Sequence, residues 1–276
     1  MSNNYFKQSV RQLSLDEVKC MAPSVVAIEG SKGVSNKYSC IDSLDIVKML
    51  QDDYWYPVKA EEVNCRLDHT KGYQKHMIRF QHKDLIFKDE SIECVFTNSH
   101  DGLSSFLFML GIFRQVCSNG LVVGDMFGEI KIRHMGITQN EVMDASRKML
   151  DFVPVLTSKM DSFKRIKLSE PEQNIYADSV KVLLFPEIKE VKEMPLENKV
   201  LLKARRYEDQ NKRDLWTVYN RAQENIMKGK LRYYQKNEAG ELKRKSTRKI
   251  RSIDKNIGIN RALWNLTEEM SKLKIA

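Results

Sequence analysis

Catalytic signatures are the first thing this 276-residue chain lacks. It has no G-x-x-x-x-G-K-[ST] phosphate loop, no G-x-G-x-x-G dinucleotide turn, no G-x-S-x-G nucleophile elbow and no H-E-x-x-H zinc helix. Cysteine is scarce and unpaired in pattern: the five thiols (Cys20, Cys40, Cys65, Cys94, Cys117) are odd in number and never form C-x-x-C, which excludes a disulfide framework or a zinc ribbon. Proline (6) and glycine (12) are too few for a collagenous or low-complexity chain, which leaves an ordinary globular composition. The longest apolar stretch, Leu103 to Phe113, is interrupted by Ser104, Ser105 and Gly111 and is far shorter than the roughly 20 residues of a membrane helix. Met1 to Leu15 lacks the apolar core of a secretory signal, so no membrane partner and a cytoplasmic location are expected.

Positive charge is present, and it is unevenly placed. Residues 199–276 hold 21 Lys and Arg against 9 Asp and Glu, a net of +12, whereas the other 198 residues hold 25 against 28. A one-sided field concentrates anionic partners at one surface, and nucleic acid is the first to consider.

Periodicity divides the chain into a weakly patterned segment (1–37), an α+β core (38–186), a Glu/Lys-rich linker (187–198) and a basic helical region (199–276). Ile41 to Tyr54 reads as a helix ended by Pro57. Five β-like runs follow at 58–66, 74–82, 92–97, 104–116 and 128–134, with turn chemistry at His100-Asp101-Gly102 and again at Cys117-Ser118-Asn119-Gly120. They predict an antiparallel meander of about five strands with flanking helices. Thr138-x-x-Glu141 is a capping box, and apolar spacing then marks helices on either side of Pro154 and one after Ser169 with Ile175, Tyr176, Val180 and Leu183 inward. In the basic region Leu215, Tyr219, Ala222 and Ile226 share a helical face that ends at Gly229, read as a left-handed cap. Two runs flanking Asn237 to Gly240 predict a β-hairpin finger, and a last helix covers about 254–274.

The finger interleaves cations with rings, the combination that neutralises phosphates and stacks on exposed bases. Its candidate binding residues are Lys228, Lys230, Arg232, Tyr233, Tyr234, Lys243, Arg244, Lys245, Arg248, Lys249 and Arg251, with Lys236 also in the basic run. Alternation along a strand allows only one of the two tyrosines to face a given ligand. Arg205 and Arg206 could grip phosphate bidentately or pair with Glu208 and Asp209. His100 and Asp101, with His76 or His134 brought near by the sheet, form a weaker catalytic candidate for metal-dependent phosphodiester cleavage. Cys117 reads as a buried thiol rather than a nucleophile. Neither a cofactor nor a resident metal is called for.

Several strings occur together: Thr97-Asn98-Ser99-His100-Asp101-Gly102, Val116-Cys117-Ser118-Asn119-Gly120-Leu121, Ile132-Arg133-His134, Arg205-Arg206-Tyr207-Glu208-Asp209, the run from Leu215 to Asn225, and Asn260-Arg261-Ala262-Leu263-Trp264. In these the chain resembles the phage/plasmid-like family catalogued as domain of unknown function 932, from about Tyr38 to Leu273. The resemblance implies carriage on mobile elements, where handling incoming single-stranded DNA, annealing, recombination and blocking host defence are the useful tasks. The order helix, antiparallel sheet, helix is similar in outline to single-strand annealing proteins, an analogy of fold alone. The expectation is a non-enzymatic nucleic-acid-binding protein, acting on single-stranded DNA. A host protein and further copies of the chain are the other partners to consider.

Overall fold

The computed structural model describes residues 11–65, 70–86, 90–114, 130–132, 134, 139–236 and 240–275. The chain forms two compact units, one up to Val153 and one from Pro154.

The first unit opens with α1 (Leu15–Met21), within the segment whose sequence is weakly patterned. Its start is fixed by a reciprocal box in which the Ser14 hydroxyl accepts from Glu17 N at 3.2 Å and the Glu17 carboxylate accepts from Ser14 N at 2.9 Å. A 3-10 turn (Pro23–Val26) leads into a loop and then α2 (Ser43–Asp52), whose first amides donate to Asp42 and whose Ile46, Val47 and Leu50 are buried. The helix stops well before Pro57. Tyr54 takes a positive φ of 64°, and Pro57 lies inside the next strand beside a bulge, where its missing N–H costs no ladder bond.

Five strands follow, β1 (Trp55–Glu62), β2 (His76–Ile86), β3 (Glu90–Asn98), β4 (Phe106–Arg114) and β5 (Ile130–Ile132), all antiparallel and adjacent in chain order. The predicted meander is therefore the observed sheet. One face carries Ile78, Phe80, Phe96, Phe106 and Phe108, which form much of the core against α1, α2 and α3 (Gln139–Asp151). The alternate residues of β2 and β3 point the other way and hold a buried ion pair. Arg79 Nε donates to Glu93 Oε2 at 2.8 Å, Ser91 donates to Glu93 Oε1, and the guanidinium sits 3.6 Å from the centre of the Phe113 ring. Burial pushes the Glu93 carboxyl up in spite of the arginine.

The second unit begins as Pro154 breaks α3 from α4 (Val153–Arg165), which buries Leu156, Met160 and Phe163. In α5 (Glu170–Leu184) Tyr176 and Val180 face inward, whereas Ile175, expected inward, is 59% exposed because it precedes Tyr176 by one position and so turns 100° away from that stripe. The 187–198 segment buries Met194 and Leu196. It leads to α6 (Asn198–Leu201) and α7 (Leu215–Lys228).

Helix α7 is buried on every side, Thr217, Asn220, Arg221, Gln223, Glu224 and Asn225 included, where the sequence pattern indicates a single apolar stripe. Its buried amides find partners: Asn220 donates to Trp216 O, Gln223 to Asn260 Oδ1, and Asn225 to Leu201 O and Lys203 O. Strands β6 (Arg232–Lys236) and β7 (Leu242–Ser246) pair antiparallel, and α8 (Ile253–Ile275) packs back on α5 and α7 through Thr267, Trp264 and Asn260.

Candidate functional site

The basic ribbon is aimed by the end of α7. Gly229 closes that helix with φ 62° and ψ −148°, a glycine-only conformation outside the left-handed helical region expected of it. Its missing side chain lets the returning chain pass: a Cβ there would lie 2.5 Å from Arg248 C. Lys230 N donates to Thr247 O and Thr247 N to Leu231 O, which close the base of the ribbon, and Ile250 N donates to Met227 O, which ties the returning chain to the helix.

The register then sorts the side chains. Tyr234 lies opposite Arg244, Arg232 opposite Ser246 and Lys236 opposite Leu242, all on one face. Tyr233 lies on the other face and meets Phe185 edge-on at 5.4 Å. Tyr234 is thus the free ring, 61% exposed, with Arg232, Lys236 and Arg244 exposed around it. Lys243 and Lys245 point to the Tyr233 side, Lys245 donating to Gln235 at 3.0 Å, while Lys230, Arg248, Lys249 and Arg251 are exposed on the flanking segments. Lys228 is half-buried. The structure engages the two arginines upstream: Arg205 donates to Asn225 Oδ1 at 2.6 Å and to Gly229 O at 3.1 Å, placing a cation at the C-terminus of α7, and Arg206 lies 3.8 Å from Glu208. The residues at 237–239 lie outside the described ones.

The first unit brings three histidines together, His76 at the start of β2, His100 in the β3–β4 connection and His134 beyond β5. His76 is held on both nitrogens, Nδ1 at 3.0 Å from Ser24 Oγ and Nε2 at 2.9 Å from Ser43 Oγ. Asn98 donates to Ser43 Oγ at 3.0 Å and reaches His100 Nε2 at 3.5 Å, and His100 Nδ1 faces Cys40 Sγ at 3.2 Å and the Tyr38 hydroxyl at 3.3 Å. Tyr38 stacks on His134 at 4.8 Å. Burial drives His76 down to about 3 and His100 to about 4, lowers His134, and raises the Cys40 thiol to about 11. At neutral pH the network is therefore uncharged, and Cys40 is a thiol and not a thiolate nucleophile. Asp101 Oδ1 accepts from the Ser99 hydroxyl at 2.7 Å and from Leu103 N at 3.0 Å, so it braces the turn.

Among the described residues no three His, Cys, Asp or Glu side chains gather closely enough to hold a metal ion. Cys117 and Thr138 lie outside the described residues. None of the described helices is long and apolar enough to cross a membrane. Sequence reasoning found His76, His100, Asp101 and His134 but not Ser24, Tyr38, Cys40, Ser43 or Asn98 as their partners. Short polar side chains scattered over some 75 residues carry no local signature.

A cleft of about 420 Å³ opens at the outer end of this network, between the 33–38 loop and the 101–105 turn, with His134 in its wall.

Residues 32–264, which include all three histidines of the network and the ribbon, match the family model described as a domain of unknown function, DUF932. The chain belongs to that family. Two relatives in Escherichia coli (strain K12), described as UPF0380 protein YafZ and UPF0380 protein YfjQ, are each 32% identical over 260 residues. Each alignment covers 94% of this chain and 92% of the relative, so the likeness is not confined to one unit. No solved structure matches the chain.

Proposed function

We propose that this member of DUF932 is a non-enzymatic nucleic-acid-binding protein of a phage or plasmid, acting in the cytoplasm on single-stranded DNA during annealing, recombination or protection of incoming strands. The observation that carries this reading is the ribbon face on which Arg232, Lys236 and Arg244 surround the exposed Tyr234. Cations at that spacing suit successive phosphates, and a free ring beside them suits an unstacked base, which duplex DNA does not offer. Lys243, Lys245, Arg248, Lys249 and Arg251 extend the positive field along the ribbon edge and its return. Electrophoretic shift of labelled oligonucleotides over a salt series tests this. With about six phosphate contacts, log K on single strands falls with log salt at a slope of about −4. An affinity insensitive to salt, or no shift at low salt, sinks the reading.

One feature favours a second reading. Leu242, 66% exposed on the same face as Tyr234, offers apolar surface that a protein partner would cover better than a phosphate backbone. On that reading the ribbon meets an acidic host protein, as an anti-defence factor would. A partner retained from host lysate after nuclease treatment, and lost with Leu242→Ser, favours it over nucleic acid.

A further inference from the structure

The open ring of the ribbon has a counterpart at the ribbon's root. Among the described residues Tyr207 is the most exposed tyrosine, at 83% against 61% for Tyr234. A single exposed ring calls for no ligand in itself. Tyr54, also open to solvent, is covered by a cation, with Lys83 Nζ 3.2 Å from its ring centre, and no such group stands against Tyr207 among the described residues. The ring is also held in place. It sits in a 3-10 turn (Tyr207–Asp209) whose Asp209 is buried and whose flanks are tied down. On one side Arg205 Nε donates to Asn225 Oδ1 at 2.6 Å, and Asn225 Nδ2 donates back to Lys203 O at 2.9 Å. On the other, Arg221 donates to Lys212 O and Leu168 N to Arg213 O, both at 2.8 Å. A ligand that stacks on this ring therefore has little further chain to order.

Charge narrows the ligand. Residues 203–213 hold five cations (Lys203, Arg205, Arg206, Lys212 and Arg213) against Glu208 and Asp209, and of the two acids Asp209 is buried and Glu208 lies 3.8 Å from Arg206. Lys203, Lys212 and Arg213 are exposed on the two flanks of the turn. A flat ring between exposed cations suits a ligand that has a flat face and repeated negative charge, which is the chemistry of an unpaired nucleic-acid strand. Position joins the turn to the ribbon. Arg205 Nη2 donates at 3.1 Å to the carbonyl of Gly229, the residue from which the ribbon departs. Tyr207 follows Arg205 by two residues, and Tyr234 follows Gly229 by five, at most about 17 Å of chain at roughly 3.3 Å per residue. The two open tyrosines of the second unit thus lie on either side of the ribbon's root.

We propose that Tyr207 is a second stacking platform, which takes a base of the same single strand that the ribbon holds through Tyr234, Arg232 and Arg244, with Lys203, Lys212 and Arg213 on its phosphates. The proposal rests on the nucleic-acid reading above and adds a path to it: the strand runs off the ribbon at its root and onto the 203–213 turn. Recognition there is indifferent to sequence, because every base has a face to stack and the ring reads no edge. Duplex DNA keeps its bases stacked on one another and offers Tyr207 nothing, so the turn adds affinity for single strands alone.

The test uses the full chain and an oligothymidylate of about 20 nucleotides, longer than the roughly 4–16 that one single-strand-binding fold covers. Tyr207→Ala lowers its affinity about tenfold, within the range for loss of one stacked base, and leaves the slope of log K against log salt unchanged. Lys212→Ala instead reduces the magnitude of that slope by about 0.7. Tyr207→Trp keeps the affinity, and the emission of the added indole is quenched saturably by the oligonucleotide. Trp55, Trp216 and Trp264, each at most 2% exposed, give a constant background. Because the Tyr207 ring is 83% exposed, the urea midpoint of each variant stays at the parent value. Parental affinity in Tyr207→Ala, or an emission of Tyr207→Trp that does not move at saturating oligonucleotide, overturns the proposal. Arg244→Ala separates it from the reading beneath it. If Arg244→Ala weakens binding and Tyr207→Ala does not, the ribbon is upheld and the second platform is refuted; if the parent chain binds no oligonucleotide at low salt, both are refuted.

Discussion

Two glycines of the second unit respond oppositely to the same substitution. At Gly229 the backbone sits at φ 62° and ψ −148°, which costs a side-chain-bearing residue about 1–3 kcal/mol. The added Cβ of Gly229→Ala would also lie 2.5 Å from Arg248 C, 2.6 Å from Arg248 O and 2.7 Å from Lys249 N. These are backbone atoms, so no rotamer change relieves them; the return strand must move, and the Lys230–Thr247 and Ile250–Met227 hydrogen bonds move with it. Overpacking of this kind costs a further 1–3 kcal/mol, which brings the total to about 3 kcal/mol or more. At Gly258, exposed within α8, an added Cβ meets nothing within 4 Å, and Gly258→Ala stabilises by about 0.5–1 kcal/mol through lower chain entropy and better helix propensity. Urea unfolding followed by tryptophan fluorescence reads the pair, since Trp216 and Trp264 both lie in this unit. The Gly229→Ala midpoint falls and the Gly258→Ala midpoint rises. Equal destabilisation by both, or a Gly229→Ala midpoint within error of the parent, would refute the claim that close backbone approach fixes the ribbon.

Tyr234→Ala weakens single-strand binding by about 1–3 kcal/mol with unfolding unchanged, while Tyr233→Ala, which strips the contact with Phe185, shows the reverse in the same two assays. Acid weakens the first unit. His76 and His100 stay neutral in the fold but regain their ordinary proton affinity near pH 6.5 when unfolded, so stability is full above pH 6.5 and falls as pH drops towards about 4. Between pH 7 and pH 5 the two together cost about 3–4 kcal/mol, measured as unfolding free energy against pH; a flat profile contradicts the buried neutral network. Glu93→Leu leaves Arg79 buried without its partner and costs about 3–5 kcal/mol, whereas Arg79→Met with Glu93→Leu recovers most of that in thermal unfolding.

The sheet was legible because its signals are local. Clean alternation over residues 129–133, only partial alternation in the β2 run, where Met77 and Ile78 are adjacent, and Asp101 and Gly102 between β3 and β4 locate the strands within a few residues, and Gly102 does take the positive φ that its place in the turn suggests. The box at Ser14 and Glu17 is the same signature as the one at Thr138 and Glu141, but α1 is only seven residues long and has too little periodicity beside it to stand out. Helix α7 misleads in the opposite direction. Its Asn, Gln and Arg side chains read as a wet face, and it takes the carbonyls of residues 201, 203 and 212 and the Asn260 side chain, all brought by the fold, to make Asn225, Arg221 and Gln223 buried partners. The ribbon's cations were visible in the sequence, while the choice between Tyr233 and Tyr234 depended on where Phe185 would lie.

Strand β7 is exposed along its whole length and belongs to a two-stranded sheet, so one of its edges presents amides and carbonyls that no other strand among the described residues engages. Such an edge invites another chain, and lysine is the residue that most often prevents the pairing. Lys243, Arg244 and Lys245 put like charges along that strand, so two copies meeting there would repel. On the nucleic-acid reading proposed above, phosphates bound to those cations would cancel that repulsion, so occupancy by a strand and edge-to-edge assembly would be linked, each promoting the other.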